Sequence, residues 1–306
     1  MRVRIATRGS RLALAQTNWV AAKIRESHPS WVTEVVIVRT SGDRFSEQPL
    51  TALGGKGLFV KEIEEALLNG EADCAVHSAK DLPAQITPEL VFAAVPCRED
   101  PSDVLVTECG YSLEEVPRGA VLGTSSPRRA ALLRWLRPDV RVVPCRGNVD
   151  TRLDKLMRGE VDGLLLAMAG LRRLGIWDDR FVRVDPMLIV PAVGQGALVV
   201  ETRADGWAER LSFLHDRVAG CTLEAERAFL AAVGGSCHTS LGAHAAVRGQ
   251  ELVLHGVIAD PTGCQVVRGV SRGSPENAVE VGRELAAQLL RCGGEKFLQG
   301  ERVALR

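Results

Sequence analysis

The stretch Cys74 to Gln85, CAVHSAKDLPAQ, concentrates groups able to move protons and hold charge: an apolar run, then His77, Ser78, Lys80 and Asp81, closed by Pro83. Cys74, Ala75 and Val76 read as the end of a buried strand, and Pro83 has no backbone donor, so the polar residues are expected on the loop just beyond that strand. Loops at strand ends are where α/β proteins keep their reactive groups. A carboxylate there suits acid–base work and the stabilisation of developing positive charge. Asp is also a common turn and cap residue, which alone would account for Asp81. A second reactive group is Cys237 in GGSCHTSLG. Taken alone it reads as an inert thiol, or more weakly as a metal ligand with His238. No second Cys/His cluster stands at ligand spacing, so no metal site is expected.

The basic residues form the third set. Only six of the 38 are Lys, and guanidinium grips carboxylate through two parallel hydrogen bonds while staying charged. Arg8, Arg128, Arg129, Arg146 and Arg152 fall on or beside predicted strand-to-helix turns, where Ser10, Thr124, Ser125 and Ser126 add hydroxyl and backbone donors. For any single arginine, a solvated surface cation is the ordinary explanation. Lys56 in GGKG is either a carboxylate contact or part of a loop that closes over the site. Lys80 either adds positive potential beside Asp81 or is a solvated turn residue.

The elements that must position these groups come in two similar passes. Val3 to Ala6 predict a strand, Thr7 to Ser10 a turn, and then a helix that Ser10 caps, with Leu12, Ala15, Trp19 and Ala22 on one face. Glu34 to Arg39 give a strand, Thr40 to Gly57 a glycine-bearing segment, and Phe59, Ile63, Ala66 and Leu67 a helix that Gly70 ends. The second pass runs through a strand at Ala120 to Gly123, a turn at Thr124 to Ser126, and a helix opened by Pro127 that runs to about Leu136. A strand at Val140 to Val143, a loop and helix at Arg146 to Arg158 and a buried strand at Val161 to Ala167 follow. IATRGS parallels LGTSSP, and NGEADCAVHSAKDL parallels RGEVDGLLLAMAGL. The expectation is α/β: two similar periplasmic-binding-protein-like lobes around an anion-binding cleft. Lobe 1 is expected from residues 1–97 and 196–216, with a helix near Asp205 to Val218, and lobe 2 from 98–195. Residues 217–306 are expected to form a small C-terminal α/β domain. In it a helix at Thr222 to Val233 precedes an antiparallel three-stranded sheet, with strands at Leu241 to Val247, Glu251 to Ala259 and Gln265 to Ser271. A closing helix at Pro275 to Cys292 buries Ala278, Val281, Leu285 and Leu289.

The 306 residues suffice for two or three domains, and 46% hydrophobic with 25% charged residues is ordinary for a globular protein. Zero formal net charge argues against a nucleic-acid binder. The start MRVRIATRGS resembles no leader, no apolar run reaches membrane-span length, and eight scattered cysteines without a CxxC pair read as thiols. A monomeric cytoplasmic protein without a membrane partner is expected.

Six signatures occur in order: GGKGLFVKE (Gly54 to Glu62), HSAKDLP (His77 to Pro83), GTSSPRR (Gly123 to Arg129), RGNVDTRL (Arg146 to Leu153), PAVGQGAL (Pro191 to Leu198) and GGSCHTSLG (Gly234 to Gly242). Together they resemble the porphobilinogen deaminase (hydroxymethylbilane synthase) family over essentially the whole chain. The resemblance implies a transferase of heme and tetrapyrrole biosynthesis that joins four porphobilinogen molecules head to tail into hydroxymethylbilane and releases ammonia. It implies a dipyrromethane primer held by a thioether to Cys237, and catalysis by Asp81, whose carboxylate would stabilise the cation left when ammonia departs. Cofactor contacts are implied for Lys80, Asp81, Thr124, Ser125, Ser126, Arg128, Arg129, Arg146 and Gly147. Substrate contacts are implied for Arg8, Ser10, Lys56, Arg128, Arg129, Arg152, Arg173 and Gln195. Pro127 stands where an aliphatic residue is frequent in the family, and HTS after Cys237 also departs from the common pattern; neither touches a residue with an implied role. The alternative from another class is a non-catalytic two-lobed binder of a small anion, which explains the arginines but neither HSAKD nor GGSCH.

Overall fold

The computed structural model describes residues 1–41, 60–236 and 239–298. Lys56, Phe59, Cys237 and His238 lie outside the described residues. The chain divides into two compact units, Met1–Glu99 with Gly196–Gly220, and Asp100–Gln195 with Cys221–Arg306.

The first unit contains β1 (Arg2–Arg8), α1 (Arg11–Ser27), β2 (Val32–Val38), α2 (Lys61–Leu68), β3 (Cys74–Ser78) and β4 (Leu90–Ala94), joined by the later strand β10 (Leu198–Arg203). Its sheet has the order β2-β1-β3-β10-β4. β1 runs parallel to β2 and β3, and β10 runs antiparallel to β3 and β4. Alternation along the strands sends Val3, Ile5, Cys74, Val76, Leu198 and Val200 to the α1 face, and Ala6 and Ala75 to the face covered by Ile63 and Leu67 of α2.

The second unit repeats the plan with β5 (Asp103–Thr107), β6 (Val121–Gly123), α3 (Pro127–Leu136), β7 (Arg141–Val143), α4 (Val149–Met157), β8 (Gly163–Ala167), α5 (Met168–Arg173) and β9 (Phe181–Arg183). The order β7-β6-β8-β5-β9 matches the first sheet place for place: parallel strands, then an antiparallel fourth. α7 (Arg217–Val233) leads into the antiparallel sheet β11 (Leu241–Arg248), β12 (Glu251–Ala259) and β13 (Val266–Gly273), covered by α8 (Ala278–Leu289). Ala278, Val281, Leu285 and Leu289 are buried, as their spacing predicts. Val257 and Ala259 of β12 share one core with Leu132 and Leu133 of α3.

Four expectations change. The buried stripe of α1 is Gln16, Thr17, Val20, Ala21 and Ile24, with Trp19 exposed, because Gln16 is drawn inward to Ser78. β3 continues through His77 and Ser78, since β10 pairs with it to its last residue, so these two belong to the strand and not to the loop. The helix expected at Asp205 to Val218 is broken: α6 (Trp207–Leu211) passes into one turn of 3₁₀ helix, and α7 begins at Arg217. Finally, β4, β5, β9 and α5 went unforeseen, and β5 is buried along its whole length.

Candidate functional site

In the first unit the candidate residues gather where β1 and β3 end. Ser10 caps α1 by accepting from the Ala13 amide at 3.2 Å, and Arg8, expected on the turn, is the last residue of β1 because it still pairs with Val38 of β2. Ser78 exchanges hydrogen bonds with the Gln16 side chain at 2.9 and 3.1 Å. The Ala79 amide donates to the Ala197 carbonyl at 3.0 Å, and Leu82 is buried. These ties fix one turn of 3₁₀ helix, Ala79–Asp81, with Lys80 half-buried and Asp81 exposed at its end. Arg8, Ser10, Gln16, His77, Ser78 and Asp81 border one cavity of about 50 Å³.

In the second unit the equivalent strand ends carry the arginines. Pro127 opens α3 and Ser126 caps it, accepting from the Arg129 amide at 3.4 Å; Thr124 Oγ1 accepts from the Ser126 amide at 3.2 Å. Arg128 and Arg129 are buried around Asp103, which is wholly inaccessible. Arg128 reaches Asp103 through Nη1 at 2.7 Å and Nη2 at 3.3 Å, and also the Val190 carbonyl at 2.8 Å. Arg129 donates to Asp103 from Nη2 at 2.7 Å and Nε at 3.1 Å, and to the Leu165 carbonyl at 3.0 Å. Gln195 completes the set, donating to Asp103 at 2.8 Å and to the Pro101 carbonyl at 2.6 Å. Burial pushes the Asp103 carboxyl up, but Arg128 and then Arg129 outweigh it and hold it well below the usual carboxylate range.

Two guanidiniums on one carboxylate leave positive charge in excess, and a third joins them. Burial, then the like charges of Arg129 and Arg146, lower the pKa of Arg152, and its Nε is buried with no hydrogen-bond partner among the described residues. Ser125 Oγ is likewise buried without a partner among the described residues. Arg146 and Gly147 lie between β7 and α4, and Arg173 is half-buried in the last turn of α5. Buried donors facing like charge are a costly arrangement that an anionic ligand relieves. A dipyrromethane, bearing acetate and propionate groups, fits this donor set.

Ser236 and Thr239, the described residues on either side of Cys237 and His238 in the chain, are hydrogen-bonded to each other. The Ser236 amide donates to Thr239 Oγ1 at 3.0 Å, and the Thr239 amide to the Ser236 carbonyl at 3.1 Å. A Cβ on Gly235 would stand 2.4 Å from Leu241 Cδ2, so any larger residue there must displace the Leu241 side chain. Gly242, five residues after Cys237 in the chain, lies so close to the Val190 and Pro191 carbonyls that a Cβ would meet both at 2.6 Å, and Arg128 Cδ at 3.0 Å. The C-terminal segment therefore enters β11 beside the arginine cluster.

Asp103 and Glu201 are the groups that sequence reasoning missed. Asp103 opens the apolar run DVLV and Glu201 closes LVVE; a carboxylate bounding an apolar run, in a chain rich in arginine, was the available signal.

Residues 3–209 match the family model described as porphobilinogen deaminase, dipyromethane cofactor binding domain, and residues 221–291 match the porphobilinogen deaminase C-terminal domain. The porphobilinogen deaminase of Roseiflexus sp. (strain RS-1) is 48% identical across 97% of this chain and 98% of its own length. That of Syntrophus aciditrophicus (strain SB) is 45% identical over the same shares. The probable porphobilinogen deaminase of Hyperthermus butylicus is 46% identical across 97% of this chain and 99% of its own. With both domain models matched in order and relatives aligned from end to end, the chain belongs to the porphobilinogen deaminase family.

Proposed function

We propose that this chain joins four porphobilinogen molecules head to tail into hydroxymethylbilane with release of ammonia. The observation that carries this reading is the buried excess of guanidinium over carboxylate around Asp103, with unpaired donors at Arg152 Nε and Ser125 Oγ. A site that must hold a chain gaining two carboxylates per unit needs such an excess. A non-catalytic anion binder would share the arginines but has no use for an exposed carboxylate held on a braced turn, as Asp81 is.

Cys237 holds the dipyrromethane as a thioether. That group supplies the pyrrole end from which the chain grows. Lys80, Asp81, Thr124, Ser125, Ser126, Arg128, Arg129, Arg146 and Gly147 contact it. Arg8, Ser10, Lys56, Arg128, Arg129, Arg152, Arg173 and Gln195 serve the incoming and growing chain, Gln195 through its grip on Asp103. Asp81 accepts pyrrole N–H groups and stabilises the positive charge that appears as the C–N bond of porphobilinogen breaks. The protein works as a monomer in the cytoplasm without nucleic acid. Its lobes are residues 1–97 with 196–216, and 98–195, and 217–306 form the cofactor-anchoring domain. Among the described residues, no helix is long and apolar enough to cross a membrane. Incubation with porphobilinogen, followed by mass analysis of the released product and an ammonia assay, tests the reading. It requires one tetrapyrrole and four ammonia per four substrates; tight binding without ammonia release contradicts it.

A further inference from the structure

Beneath the Asp81 turn lies a buried pair that the reaction as described leaves unused. Ala75 faces α2; Glu201 stands directly opposite it on β10, and His77 is two residues further along β3, so imidazole and carboxylate meet diagonally on that face. His77 Nε2 lies 3.1 Å from Glu201 Oε2, at ion-pair distance though off the line of a hydrogen bond, and both side chains are almost wholly inaccessible. Among the described residues, neither Glu201 oxygen has a hydrogen-bond partner, and His77 is the one basic group at ion-pair distance from it. A buried ion pair is seldom worth more to stability than apolar side chains of the same size, so stability alone does not account for it.

Its position supplies the account. Asp81 follows His77 by four positions along the chain, and both border the same cavity of about 50 Å³, room for a water molecule or two. Among the described residues, the charged groups around the imidazole are Arg8 from the end of β1, Glu64 from α2, Glu201 from β10 and Asp81 from the turn that follows β3. Burial, and then Glu201, raise the Glu64 carboxyl, while its bond from Thr87 Oγ1 at 2.6 Å lowers it.

We propose that His77, held by Glu201, is a positioning residue for Asp81: the imidazole takes up, across the shared cavity, the proton that the Asp81 carboxylate accepts at each addition. The inference rests on the role proposed for Asp81. In each addition the C–N bond of the protonated aminomethyl group breaks, and its electron pair leaves on ammonia, which keeps the ammonium's three protons. The freed carbon bonds to a pyrrole ring carbon. The C–H electrons of that carbon return to the ring, and the proton passes to Asp81. Transfer onward to His77 returns Asp81 to the anionic form it needs for the next addition, and His77 then yields the proton to solvent.

The test follows the ring signals of ¹⁵N-labelled histidine in the full-length protein through a titration from about pH 5 to 9. His77 is assigned by the signal lost in His77→Gln, or, if that variant does not fold, by elimination with the other five histidines replaced. Asp81→Asn should lower the His77 midpoint by roughly half a unit, as expected on losing one partly solvated negative charge nearby, and Glu201→Gln should lower it further. An unchanged His77 titration in Asp81→Asn overturns the proposal. This arm reads coupling without turnover, so it can fail while Asp81 remains catalytic. In activity, His77→Gln should shift a limb of the kcat–pH profile with KM little changed; a uniform loss at every pH would show a merely structural role and also overturn it.

Discussion

Replacing Asp103 with Asn should cost more than any other isosteric change in the arginine cluster. The carboxylate is wholly buried and accepts from Arg128 at 2.7 and 3.3 Å, from Arg129 at 2.7 and 3.1 Å, and from Gln195 at 2.8 Å. Asn keeps the shape but removes the charge, and its amide turns donors toward guanidinium, leaving two buried cations uncompensated. Breaking a buried pair in this way costs about 3–5 kcal/mol, which for a chain of this size lowers Tm on the order of 10 °C. The pH dependence has a definite sign. Asp103 is held below its unfolded pKa, so its contribution is full above about pH 4 and declines as pH falls further. Thermal melts of both proteins should differ by a constant gap from about pH 5 to 8 and converge below about pH 4. A gap under ~1 kcal/mol at pH 7, or one that widens on acidification, would refute the reasoning.

Three further outcomes are expected. Asp81→Asn should lower kcat roughly 10²–10³-fold while intact mass still shows bound dipyrromethane, and Asp81→Glu should retain more activity; equal, mild effects would reduce Asp81 to a turn former. Arg152→Gln relieves a cation already disfavoured by burial and by Arg129 and Arg146, so Tm should hold or rise while the cofactor-bearing fraction by mass falls; a lower Tm with full cofactor content would contradict this. Glu64→Gln should raise Tm slightly at pH 7, because the folded state disfavours the charged carboxyl, and the gain should vanish below about pH 4, where Glu64 is protonated in both states. A gain independent of pH would point to packing instead.

Local chemistry was the part most readable in sequence. Ser10 and Ser126 cap the helices they precede, Pro127 sits at a helix start, and Gly249 and Gly263 take the left-handed conformations that their turns need. Each depends on neighbours within a few residues. Long-range partnerships were hidden. Asp103 meets Arg128 from 25 residues away and Gln195 from 92, and DVLV marks a carboxylate beside an apolar run without naming its partners. His77 reads as a loop residue until β10, more than a hundred residues later in the chain, pairs with it. The α1 face was misjudged because hydrophobicity favours Trp19, whereas the fold spends the inward position on Gln16 to brace Ser78. Arg128 and Arg129 stood out as cations, but not as cations already engaged by a buried carboxylate.

Mass spectrometry of the intact protein tests the central claim most directly. The purified chain should weigh more than its sequence by two pyrrole units. Brief exposure to porphobilinogen should add a ladder of one to four further units that collapses to the starting mass as product leaves. Cys237→Ser should show neither the extra mass nor the ladder. A bare sequence mass in the parent, or a ladder that survives in Cys237→Ser, would contradict a reaction primed on that thiol.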